Sequence, residues 1–270
     1  MADSTAKPAP FVWYELLTTD PEGAAAFYGD VVGWTVSSDA DPASGGGVDY
    51  RMIVRDDGGN AGGLFGLSKD MTAAGARPCW LGYLYTPDVD ATIKAIEADG
   101  GAVKMPAVDL PVGRIAMVTD PDGSVFYVMT PIPPAGQPAA INDVYDRRAP
   151  QRVSWNELMA NDDEAAKAFY SKHFGMAFND KMAMGAMGDY WFITESTMQD
   201  AIGALMRKPP NMPTGGWQYY IRVAGIDAAV EKVNAGGGQV VNGPMEVPGG
   251  DWIINGIDPQ GAAFSLVGAK

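Results

Sequence analysis

One cysteine, one histidine and a shortage of positive charge set the first limits on this chain of 270 residues. Cys79, standing alone, excludes an intrachain disulfide and a thiolate metal cluster. His173, equally alone, sits near a helix C-terminus just before Gly175 and reads as an exposed residue favoured by the helix dipole, not as a metal ligand. Lys and Arg number 19 against 33 Asp and Glu, a formal net charge of −14. Without a basic surface, nucleic acid and anionic membrane are not expected partners. No apolar run reaches membrane-spanning length, and the N-terminal MADSTAKPAPF lacks a secretory signal pattern, so a cytoplasmic location is expected. What is present is a globular composition, 47% apolar and 19% charged, at a length that suits two domains.

The chain repeats itself. Trp13–Trp34 (WYELLTTDPEGAAAFYGDVVGW) returns 142 positions later as Trp155–Met176 (WNELMANDDEAAKAFYSKHFGM), with 10 of 22 aligned positions identical. A repeat of this length is a supersecondary unit used again. Trp13–Leu17 has strand composition; Asp20 is placed to cap a helix, with Pro21 and Glu22 in its first turn and Gly33 at its end. Asp162 and Gly175 serve the same ends in the second copy.

Further strands are expected at Trp34–Ser37, Asp49–Arg55 and Gly62–Leu67, with a Gly-rich loop at Ser38–Gly47 that leads into a strand and is no phosphate cradle. A second unit follows: a strand at Trp80–Thr86, a helix from Asp88 ended by Gly100–Gly101, and strands at Ala102–Val103, Arg114–Val118 and Ser124–Thr130 around the turn DPDG, Asp120–Gly123. The Pro-rich Thr130–Arg152 reads as a linker. The second half replays the first, with strands at Val153–Met159, Ala177–Asn179, Tyr190–Glu195 and Ala201–Met206. Then come Trp217–Val223, a helix from Ile226, and strands Gln239–Val241, Trp252–Ile257 and Ala262–Val267 around DPQG, Asp258–Gly261.

Four βαβββ units, with W-x-E-L…D…A-x-FY…G opening each half and D-P-x-G closing it, resemble the vicinal oxygen chelate superfamily of glyoxalase I, bleomycin-resistance proteins and extradiol dioxygenases. The tandem arrangement is most similar to its two-domain glyoxalase-like members. The resemblance implies an α+β fold in which the units pair into two half-barrel domains, residues 11–132 and 152–268, behind a disordered lead-in (1–10) and joined by a linker (133–151). It also implies a cavity in each domain that holds a divalent metal in the catalytic members. The positions matching the family's metal ligands hold Trp13, Leu81 and Tyr127 in one half and Trp155, Gln218 and Ser265 in the other. A divalent centre needs three or four converging N or O donors. The expectation is therefore that no metal cofactor is used, although a divalent ion remains an open alternative.

Side chains alternate along a strand, so Glu15 shares a face with Trp13, and Glu157 with Trp155. Leu81, Tyr83 and Tyr85 line up on one facing strand, and Gln218, Tyr220 and Arg222 on its counterpart. Glu15 and Glu157 are the candidate catalytic residues, as general bases or acceptors among aromatic walls. Trp13, Tyr83, Tyr85, Tyr127, Trp155, Gln218, Tyr220, Arg222 and Ser265 are the candidate ligand-binding residues. A structural hydrogen bond, or a salt bridge to an arginine such as Arg222, Arg51 or Arg114, would make each Glu structural instead. Two loops, Lys181–Asp189 with its three methionines and Asp39–Val48, are placed to rim the cavities. Cys79 reads as a small buried residue with no His nearby in sequence to activate it.

Three functions fit. The first is a module that binds a small, partly aromatic molecule without metal, as a monomer or homodimer. The second is a glyoxalase- or dioxygenase-like enzyme with an unconventional metal site of Glu15, Glu157 and Gln218. The third is metal-free acid–base chemistry at Glu15 or Glu157.

Overall fold

The computed structural model describes residues 10–38, 48–133, 143–196, 198, 200–210, 212 and 214–270. The lead-in apart from Pro10, the Gly-rich loop beyond Ser38 and the first part of the linker lie outside the described residues.

Four βαβββ modules are written in chain order. The first holds β1 (Phe11–Thr18), α1 (Pro21–Val32), β2 (Thr35–Val36), β3 (Tyr50–Val54) and β4 (Asn60–Gly66). A short helix, α2 (Lys69–Ala73), capped by Ser68 and not foreseen, leads to the second module. That module holds β5 (Cys79–Tyr85), α3 (Val89–Ala98), β6 (Ala102–Leu110), β7 (Gly113–Thr119) and β8 (Val125–Pro131). The third holds β9 (Val153–Ala160), α4 (Asp163–Phe174), β10 (Ala177–Ala183), β11 (Asp189–Thr194) and β12 (Gly203–Arg207). The fourth holds β13 (Gly216–Gly225), α5 (Ile226–Ala235), β14 (Gln239–Glu246), β15 (Trp252–Ile257) and β16 (Ala263–Ala269). Two mixed sheets of eight strands result, ordered β2-β3-β4-β1-β5-β8-β7-β6 and β10-β11-β12-β9-β13-β16-β15-β14. In each module the first and last strands pair in parallel and the others antiparallel.

The helices start where the sequence places them. Asp20, Asp88 and Asp162 accept from the N–H groups of Gly23, Ala91 and Ala165 at 3.0, 3.0 and 3.1 Å. Gly33 and Gly175 end α1 and α4 in the left-handed region, at φ 88° and 67°. α5 breaks the pattern, since Gly225 stands at its cap without a side-chain bond.

Three strands run longer than their local signals. β6 and β14 continue past Pro106 and Pro244, because both are sheet-edge strands and each proline falls within a register shift. β10 continues through the polar Asn179–Lys181, which an edge strand can expose. The methionine segment is consequently no open loop: Met182 is in β10, and a single 3-10 turn at Gly185–Met187 leads into β11.

Core packing follows another division. Two compact units form, one of residues 1–13, 82–142 and 155–217, the other of 14–81, 143–154 and 218–270. Each takes material from both halves of the sequence. In the first unit, the Tyr170 hydroxyl on α4 donates to Asp120 Oδ2 at 3.0 Å and accepts from Trp217 Nε1 at 2.9 Å. In the second, the Tyr28 hydroxyl on α1 donates to Asp258 Oδ2 at 3.0 Å and accepts from Trp80 Nε1 at 2.9 Å. Asp120 and Asp258 are the aspartates of the two D-P-x-G turns and also accept backbone N–H groups of Ser124 and Ala262 at 2.8 Å. Burial pushes both carboxyls up, and it pushes the Tyr28 phenol well up with help from the Asp258 charge. The FY of each helix and the D of each closing turn thus make one lock, used once per unit.

The described end of the linker is anchored in the second unit. Gln151, at φ 60°, donates to the Gly33 carbonyl at 2.8 Å and accepts from the Asp56 N–H at 2.8 Å, while its own carbonyl accepts from Trp34 Nε1 at 3.0 Å. Arg55, with its side chain 1% exposed, pairs with Asp57 and Asp143, and Arg152 pairs with the same two. Bonds of this number hold a non-glycine residue in a conformation that costs on the order of 1 kcal/mol or more.

Candidate functional site

β9 brings Trp155, Glu157 and Met159 to one face, and β11 carries Tyr190 and Phe192 to the same face two strands away. The register fixes this: Glu157 aligns with Ala204 on β12, Ala204 with Phe192, and Met206 with Tyr190. Trp155 Nε1 donates to the Tyr190 hydroxyl at 2.8 Å, and that hydroxyl donates to Glu157 Oε2 at 2.6 Å. Phe192 packs edge-on against both rings, its centroid 6.2 Å from Trp155 and 5.8 Å from Tyr190. Glu157 is 6% exposed. A phenol has one proton, so the carboxylate is the acceptor of the pair. The indole N–H behind the phenol oxygen polarises it and strengthens its donation. The arrangement holds an oriented carboxylate, as acceptor or proton base, in an aromatic wall.

Glu15, 2% exposed, occupies the matching place on β1. Burial and the nearby Glu15 charge push the Cys79 thiol up to about 12, which keeps it protonated and non-nucleophilic at neutral pH. None of the three arginines offered as structural partners forms an observed ion pair with either Glu. Arg222 pairs with Asp251 at 2.6 Å and donates to Ser154, Arg51 pairs with Glu22 and Asp49, and Arg114 pairs with Asp90 and Asp109.

In the second unit Asn255 joins three of the candidate residues. Its Nδ2 donates to Ser265 Oγ, the Tyr220 hydroxyl and Gln218 Oε1 at 2.9, 3.2 and 3.3 Å, and its Oδ1 accepts from Asn242 at 2.9 Å. Tyr220, Ser265, Asn255 and Asn242 form one cross-strand row over β13, β16, β15 and β14. The corresponding row in the first unit is Tyr83, Tyr127, Met117 and Met105. There Tyr83 and Tyr127 stack with centroids 4.1 Å apart and planes at 17°. Tyr85 aligns with Met129 and is half-buried, as is Trp13.

Tyr190 and Asn255 are the two residues that sequence reasoning missed. Tyr190 reaches Glu157 through strand pairing across 33 positions, which no local pattern reports. Asn255 had a usable signal, since it replaces Met117 at the same distance before the D-P-x-G aspartate. His173 is a correction: its side chain is 4% exposed, with Nε2 2.8 Å from Asp99. The side chain lies under the α3–α4 contact, where Asp99 takes up its polar edge.

Among the described residues, no group of three or more His, Cys, Asp or Glu is placed to hold a metal. Nor, among them, is any helix long and apolar enough to cross a membrane.

Comparison with known proteins extends the site's context. The family model for the Glyoxalase/Bleomycin resistance protein/Dioxygenase superfamily matches residues 11–128 and 152–266. The chain is 31% identical over 257 residues to a Mycobacterium tuberculosis protein named "Putative glyoxylase CFP32", covering 94% of this chain and 93% of that one. It is 29% identical over 275 residues to the anthracycline biosynthesis protein DnrV of Streptomyces peucetius, covering 96% and 93%. Among solved structures, the Mn(II)-bound glyoxalase of Novosphingobium aromaticivorans shares the fold at a TM-score of 0.62 and 17% identity, over 97% of this chain and 82% of that one. The dioxygenase LapB of Pseudomonas sp. KL28 does so at 0.59 and 13%, over 96% and 92%. Two matched repeats that together span most of its length make this chain a member of the Glyoxalase/Bleomycin resistance protein/Dioxygenase superfamily.

Proposed function

We propose that this protein binds a small aromatic molecule bearing hydroxyl or keto oxygens, and that it does so without the divalent metal found in catalytic relatives. The observation that carries this is the Trp155–Tyr190–Glu157 chain, a directed acceptor carboxylate set among aromatic rings. Such a group meets a phenolic O–H, while the rings supply flat apolar contact. The positions matching the family's metal ligands carry Trp, Leu and Tyr or Trp, Gln and Ser, a poor set for a hard cation. The relative named for anthracycline biosynthesis suggests the ligand class, since anthracyclines are planar polycyclic quinones with hydroxyl substituents. A net charge of −14 supports a small-molecule partner over nucleic acid.

Acid–base chemistry is the second reading, favoured by the 2.6 Å Tyr190–Glu157 bond, through which a proton can be exchanged with a bound substrate. Titration with the dihydroxyanthraquinone quinizarin tests the first reading. Saturable binding that survives EDTA and weakens about 10-fold or more in Glu157→Gln is expected, as for loss of a charged hydrogen bond. Stoichiometric metal whose removal abolishes binding would overturn the metal-free part, and absence of quinizarin binding the ligand class. Chemical conversion of a bound quinone, lost in Glu157→Gln, would establish the second reading.

A further inference from the structure

The first repeat carries its own counterpart of the Tyr190–Glu157 pair. On β3, Tyr50 aligns with Phe65 of β4, as Tyr190 aligns with Met206. On β1, Glu15 aligns with Gly63 of β4, as Glu157 aligns with Ala204. Tyr50, Gly63 and Glu15 therefore share one face of the sheet. A methyl group built on Gly63 would overlap the Tyr50 hydroxyl, so the phenol lies over that glycine. Aligned neighbours on adjacent strands hold their Cβ positions about 5 Å apart, which brings the Glu15 carboxylate within hydrogen-bond reach of a hydroxyl at Gly63. Glycine at 63 is the space that admits the ring; its counterpart Ala204 has a side chain, and there the phenol sits on the glutamate.

We propose that Glu15 and Tyr50 form a second carboxylate–phenol site, so that one chain takes two molecules of the same hydroxylated aromatic class. This rests on the ligand reading above. It differs in assigning a site to the first repeat and a partner, Tyr50, to Glu15.

Two measurements test it. The first needs no ligand: thermal unfolding of Tyr50→Phe, Glu15→Gln and the double variant. A bonded pair makes the two shifts fall short of additivity by about 2–4 °C, and strict additivity overturns the pair. The second is quinizarin titration of the intact chain. The stoichiometry is expected to be two, falling to one in Tyr50→Phe and in Tyr190→Phe. A stoichiometry of one that Tyr190→Phe abolishes and Tyr50→Phe leaves intact overturns the second site while the ligand reading stands. No binding at all, with the thermal coupling present, removes the ligand class and leaves the Glu15–Tyr50 pair standing.

Discussion

Two rows of side chains occupy the same register in the second and fourth modules and share almost no chemistry. Tyr83, Tyr127, Met117 and Met105 make a stacked, apolar row; Tyr220, Ser265, Asn255 and Asn242 make a hydrogen-bonded one. Around them the architecture is unchanged: the same strand pairing, the same D-P-x-G turn, the same Tyr–Asp–Trp lock. Backbone and lock define the fold, and the two rows differ within it, one stacked and one hydrogen-bonded.

The lock ought to fail equally in both units. Asp120→Ala and Asp258→Ala each strand a buried tyrosine hydroxyl and turn N–H groups, and each is expected to cost ~3–4 kcal/mol in urea unfolding. A difference of more than about 1 kcal/mol between them would show that the two units are not held alike. Exchanging the rows gives smaller effects. Met117→Asn replaces a half-buried thioether beside Tyr127 and Met105 by an amide and gives up its apolar packing, for a loss of ~2 kcal/mol. The reverse swap, Asn255→Met, strips Ser265, Tyr220 and Gln218 of a shared donor, for ~1–2 kcal/mol by the same unfolding measurement. If Asn255→Met stabilises instead, the polar row is no structural network.

The smallest effect is on pH dependence. Asp258 is pushed up by burial, so between its ordinary value near 4 and the raised one the folded chain binds a proton that the unfolded chain has lost. Its contribution is therefore greatest at low pH and declines as pH rises through the raised value. Asp258→Asn, which cannot ionise, is expected to lack that decline in unfolding curves taken across this range. An identical pH profile would mean that Asp258 titrates normally.

Much of the fold was legible because its signals are local. Asp20, Asp88 and Asp162 cap within three residues, Gly33 and Gly175 end helices where only a left-handed turn fits, and D-P-x-G closes a hairpin on itself. Prolines misled where location in the sheet mattered: Pro106 and Pro244 end a central strand but sit comfortably in a bulged edge. Of the site, the shared face of Trp155 and Glu157 was readable from alternation alone, and Tyr190 was not.

By itself, then, the sequence determined the four modules and their capped helices, which follow from neighbours a few positions apart, and displayed the repeat whose motifs carry the family resemblance. Only the tertiary structure decided that Tyr28 locks to Asp258 and Tyr170 to Asp120, that His173 is sheltered against Asp99, and that Glu157 accepts the hydrogen bond of Tyr190. Those pairings join residues 33 to 230 positions apart. At that separation the partner is chosen by which surfaces exclude water together, and no short stretch of chain records the choice.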